Sequence, residues 1–160
     1  MPTPFVSENI IDQIAISLSA SEEQYTLAVS ELKDQQPIIL SYILSENFNL
    51  LTQKEKDYLL YLTLVIWKAI QQVQATGDLI PTEQIDETEE ANWALLNSSK
   101  ARRFKERLDA FFDNTSQEDL LAFVEDSLVE EEEEAFLTKE GKELLFIGLK
   151  TIIDCLVSDE

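Results

Sequence analysis

Two carboxylate pairs, Glu87-x-x-Glu90 and Glu106-x-x-Asp109, have a spacing that suits metal chemistry. Residues at i and i+3 share a helix face. Two such helices facing each other would offer oxygen ligands to Mg²⁺ and leave open positions for a nucleotide phosphate. Glu106 also stands among Arg103, Lys105 and Arg107, where a surface ion pair would use it instead.

On these four positions alone, Glu87, Glu90, Glu106 and Asp109, the pattern is similar to the metal motif of all-α nucleotide pyrophosphatases of the MazG type. The resemblance implies a Mg²⁺-dependent enzyme with helix-borne carboxylates. In a chain with 32 acidic residues, the same spacing also arises by chance.

Other catalytic chemistry lacks its residues. The chain has no histidine, which removes Ser/His and Cys/His nucleophile pairs and histidine-ligated metals. Three scattered glycines cannot build a phosphate loop. The single cysteine, Cys155, lies in the apolar run Thr151–Val157 and reads as a small core residue. No cofactor is expected apart from Mg²⁺ under the carboxylate reading.

One stretch runs against the charge of the whole. Lys100-Ala-Arg-Arg-Phe-Lys-Glu-Arg107 holds every arginine and five of the 12 basic residues in a chain of formal charge −20. Arg102, Arg103 and Arg107 form a candidate anion or acidic-peptide contact, since guanidinium forks suit carboxylate and phosphate. The competing expectation is internal pairing with Glu87, Glu89, Glu90 or the run Glu130–Glu134. The overall field opposes nucleic acid and anionic lipid and favours basic partners, including by mimicry of nucleic acid. Trp67 is expected in the core, and Trp93, after the acidic stretch Asp86–Glu90, nearer the surface.

The elements that would position these residues are helices. Gly is 3 and Pro 4 in 160 residues, too few for the turns of an all-β fold. Apolar spacing and caps predict eight helices. The first runs from Ser7 to Leu18. The second starts at Ser21, where Ser-Glu-Glu-Gln has capping-box form. The third starts at Pro37 and ends near Ser45 or Glu46. The fourth runs from the box Thr52-Gln-Lys-Glu55 to Thr76, with Gly77 as stop. Its middle, Tyr58–Trp67, is apolar nearly all round, which predicts the central helix. The fifth is capped by Thr82 or Asp86, and the sixth spans 100–112. The seventh is capped at Ser116, with Asp119 closing the box, and the eighth runs from Thr138 to Val157.

The chain also aligns with itself. Ile39-Leu-Ser-Tyr-Ile43 lies on Leu120-Leu-Ala-Phe-Val124, and Leu51-Thr52, Lys56, Leu59 and Ile66 on Leu137-Thr138, Lys142, Leu145 and Ile152. Residues 7–77 and 82–157 would then be similar four-helix units.

The expectation is one all-α domain over 1–160, a bundle of seven or eight helices, built of two such units or as a short α-solenoid. The ten-residue run Tyr58–Trp67 is too short for a membrane span. An N-terminus without Lys or Arg before Lys33 argues against a secretory signal, so a cytoplasmic location is expected. The functional expectation is a non-enzymatic helical interaction module: an adaptor, regulator or accessory subunit. Its partner would be another protein, with a homodimer as one form. The alternatives are the Mg²⁺ enzyme and an acidic nucleic-acid mimic.

Overall fold

The computed structural model describes residues 3–74, 79–129 and 136–157. These form α1 (Glu8–Ala20), α2 (Glu22–Gln35), α3 (Pro37–Ile43), a 3₁₀ turn (Glu46–Phe48), α4 (Gln53–Gln71), α5 (Thr82–Ser98), α6 (Phe104–Arg107), α7 (Asp109–Phe112), α8 (Glu118–Leu128) and α9 (Lys139–Leu156). Single-turn α6 and α7 together stand where one helix was expected, so the eight-helix reading of an all-α bundle holds.

Local signals start most of these helices. The Ser7 Oγ accepts from the Ile10 N–H at 3.4 Å and the Ser21 Oγ from the Gln24 N–H at 3.2 Å. On α4 the capping box is complete: Thr52 Oγ1 accepts from the Glu55 N–H, and Glu55 Oε1 accepts from the Thr52 N–H at 2.9 Å. Pro37 occupies the first turn of α3, where its missing N–H has no helical partner to lose.

Five expectations are corrected. The third helix stops at Ile43, and the 3₁₀ turn carries the chain onward so that Phe48 is buried. Neither Thr82 nor Asp86 caps α5, whose N-cap is Pro81. The helix over 100–112 breaks at Leu108, whose N–H bonds back to Lys105 in a tighter turn. That tightening seats Leu108 and Phe111 in the core. The N-cap of α8 is Gln117, not Ser116, and Asp119 accepts from the Glu8 N–H of α1 instead of closing a box. The fourth helix ends at Gln71. Its expected stop at Gly77 and the run Glu130–Glu134 fall outside the described residues.

Two helices share the centre. α4 buries Leu59 and an unbroken run from Leu62 to Trp67, and α9 buries Leu145–Leu149 and Thr151–Ile153. They pack side by side and run parallel. Glu55, near the start of α4, bonds Thr138 at the start of α9, and Gln74 Nε2 at the far end donates to the Leu156 carbonyl at 2.9 Å. Gly148 of α9 makes room for the 3₁₀ turn, since a Cβ there would lie 2.9 Å from the Phe48 ring. The Phe146 ring meets Phe111 edge-on at 4.8 Å.

Four of the other helices pack on this pair in matching positions. α1 and α3 pack on α4, as α5 and α8 pack on α9. Contacts also cross between halves: α1 packs on α8, and α3 meets α5 through Tyr42, which donates to Glu89. A solenoid would keep contacts between neighbouring repeats. The packing of α1 on α8 instead closes the structure into a bundle.

Candidate functional site

The cross-contacts begin at two buried glutamines. Gln36 and Gln117 are the N-caps of α3 and α8, with nearly the same backbone angles (φ −136°, ψ 62° and φ −123°, ψ 63°). Neither caps its own helix with its side chain. Gln36 Oε1 accepts the Ile80 N–H at 3.2 Å, just before α5. Gln117 Oε1 accepts the Val6 N–H at 2.9 Å, just before α1, while its Nε2 donates to the Pro4 carbonyl. Each half thereby holds the first helix of the other, placing α3 beside α5 and α8 beside α1.

Between each of these pairs lies an open groove. The α3/α5 groove has a volume of about 440 Å³, with Ile38, Tyr42 and Ile85 as apolar lining and Glu46 and Asp86 among its polar residues. Ser45 also lines it, and its Oγ is buried and has no hydrogen-bond partner. The connection that brings Ser45 and Glu46 into the wall leaves Leu44 and Leu50 70% and 77% exposed. The α1/α8 groove, about 400 Å³, has Ile11 and Phe123 as apolar lining with Glu8, Asp12 and Asp126 beside them. No lysine or arginine lines either groove.

Behind the α3/α5 groove is a polar layer. Burial, followed by the hydrogen bond to Glu89, pushes the Tyr42 hydroxyl far above its ordinary range, so it stays protonated and donates. Asn92 Nδ2 donates to Thr151 Oγ1 and Asp154 Oδ2, both at 3.2 Å, and Lys150 pairs with Asp154. Burial raises the nearby Cys155 thiol to about 11, against a partly offsetting hydrogen bond from Thr88. A thiol held in that form is a poor nucleophile.

The arginines divide. Arg107 is half-buried and paired with Glu143 of α9, an acidic partner not among those expected. Arg102 and Arg103 are exposed in the connection between α5 and α6, with Lys100 beside them and Lys105 exposed on α6. They form no ion pair among the described residues.

The four carboxylates of the metal motif are exposed: Glu87 and Glu90 on α5, Glu106 on α6 and Asp109 on α7 beyond the break at Leu108. Among the described residues no group of three or more acidic, cysteine or histidine side chains stands close enough to hold a metal ion. Trp67 is buried in α4, and Trp93 is half-buried on α5. No helix among the described residues is long and apolar enough to cross a membrane.

Sequence reasoning missed both grooves and the two glutamines. The signal was available: the 81-residue offset that lays Ile39 on Leu120 also lays Gln36 on Gln117 and Tyr42 on Phe123. No protein family matches the chain, and no curated protein and no solved structure is found to be similar to it.

Proposed function

We propose that the chain is a non-enzymatic helical interaction module, acting as an adaptor, regulator or accessory subunit. One observation carries this reading: the α3/α5 groove combines an apolar floor with carboxylates and no lysine or arginine in its lining, and Leu44, next in the chain to its Ser45, is uncovered. Exposed apolar side chains beside a concave surface are typical of protein contact sites. Arg102 and Arg103 add a second contact, suited to acidic groups on the same partner.

The test is an affinity capture from native lysate with three proteins of verified fold. These are the wild type, Ser41→Trp, which fills the groove from an exposed position, and the pair Arg102→Glu with Arg103→Glu. Arg107 is left alone because its loss would strand Glu143. We expect the wild type to hold a defined protein that Ser41→Trp releases, with weaker retention by the arginine variant. Equal retention by all three would move the contact elsewhere. Capture of nothing beyond a bead control would defeat the reading and make a Mg²⁺-dependent nucleotide turnover assay the next step.

A further inference from the structure

The two grooves occupy the same place in the two halves. Counting from the N-caps Ser7 and Pro81, α1 and α5 are offset by about 74 positions, and from Gln36 and Gln117, α3 and α8 by about 81. Under these offsets, the lining of one groove falls on that of the other. Ile11 falls on Ile85 and Asp12 on Asp86, both unchanged in type. Phe123 falls on Tyr42, an aromatic on an aromatic, and Ala122 falls on Ser41.

Their chemistry calls for the same ligand. Each floor is an isoleucine with an aromatic ring, which takes a large apolar side chain. Each rim carries carboxylates without a neighbouring cation, Glu8, Asp12 and Asp126 in one and Glu46 and Asp86 in the other, which is complementary to Lys or Arg. One pair of positions is telling. Asp126 in the α1/α8 groove corresponds to Ser45 in the α3/α5 groove, whose buried Oγ lacks a partner. Both positions are polar, so the two grooves keep a polar residue at the same place in the wall.

We propose that the α1/α8 and α3/α5 grooves are twin docking sites, each taking a short amphipathic segment of a partner protein that sets one large apolar side chain on the floor and Lys or Arg against the rim. This rests on the reading of the chain as an interaction module and adds the class of partner and a valency of two.

A synthetic amphipathic peptide of leucine and lysine serves as the probe, with its leucine and glutamate counterpart as control, in calorimetric titration of the full chain. Three double variants are compared: Asp12→Lys with Asp126→Lys, Glu46→Lys with Asp86→Lys, and, away from both grooves, Asp34→Lys with Asp113→Lys. All six positions are exposed, and each pair changes the net charge equally. We expect the wild type and the distant variant to bind two lysine peptides per chain and each groove variant one. The groove variants combined should bind none, and the glutamate peptide should not bind. Equal loss in the distant variant would show attraction by the overall field alone and overturn the proposal. So would a single equivalent in the wild type. No binding of the lysine peptide, while the lysate partner is still released by Ser41→Trp, would overturn the twin sites and leave the interaction reading standing.

Discussion

Glu55 sits where the side chain of Gly141 would be: a Cβ on Gly141 would lie 1.9 Å from Glu55 Oε2. The two residues are counterparts, each the third residue of its helix after a threonine cap, Thr52 for α4 and Thr138 for α9. Glu55 Oε1 accepts from the Thr52 N–H, and Oε2 accepts from the Thr138 N–H at 2.8 Å and from its hydroxyl at 3.1 Å. One fully buried carboxylate thus closes the starts of both central helices, in the positive field that two helix N-termini share. There is room for only one such side chain, and the second half supplies a glycine.

This arrangement predicts a rescue by exchange. Gly141→Ala should destabilise by more than ~2 kcal/mol, since backbone or carboxylate must shift. Glu55→Gly should cost about 1–3 kcal/mol by removing the charged acceptor shared by the Thr52 and Thr138 N–H groups. The double variant Glu55→Gly with Gly141→Glu should be more stable than either Glu55→Gly or Gly141→Glu, because the carboxylate then reaches the same donors from the other helix. Urea denaturation measures all four. A double variant no better than its worse parent would sink the idea that the two positions are interchangeable.

The paired glutamines should differ in weight. Gln117→Leu removes the acceptor of a fully buried N–H, that of Val6, and should cost roughly 2 kcal/mol. Gln36→Leu releases the Ile80 N–H, which is only partly buried, so that water can replace the lost bond. It should cost about half as much. Denaturation midpoints at constant slope would show this order, and the reverse order would contradict it.

Thr63 is fully buried on α4, and its hydroxyl has no hydrogen-bond partner. Thr63→Val keeps the shape and removes the unpaired group. We expect it to stabilise the protein by about 1 kcal/mol, a rise of a few degrees in Tm. A loss of stability would mean that the hydroxyl is bonded in solution.

Cys155 predicts a pH effect on stability. Its thiol is raised to about 11 from an ordinary 9.0, first by burial. Between those values the unfolded chain has lost this proton and the folded chain keeps it, so stability falls as pH rises through that window. The contribution is fully present below about pH 9, and its full loss is on the order of 2–3 kcal/mol. Cys155→Ala should show a shallower decline between pH 9 and 11 in the same buffers. Identical slopes for the two proteins would remove Cys155 as the cause.

Much of the local structure was legible. The helix start at Ser7, the caps at Ser21, Thr52 and Thr138, Pro37 at a first turn and the apolar run through α4 all depend on residues a few positions apart, where a linear reading sees them. The sites were not legible in the same way. The motif at Glu87, Glu90, Glu106 and Asp109 reads as one unit on two helices, yet the break at Leu108 and the exposure of all four keep it from forming a cluster. The basic stretch reads as one surface, yet Arg107 is drawn inward by Glu143, 36 residues away.

The sequence by itself determined that this chain is helical and where most of its helices begin, because these depend on short-range hydrogen bonding and on the period of apolar residues. Only the tertiary structure decided that Gln36 holds Ile80 while Gln117 holds Val6, that Glu55 serves two helices, and that α3 with α5 and α1 with α8 enclose grooves. Those are choices among distant partners, and they follow from which faces can be buried together when all the helices pack at once.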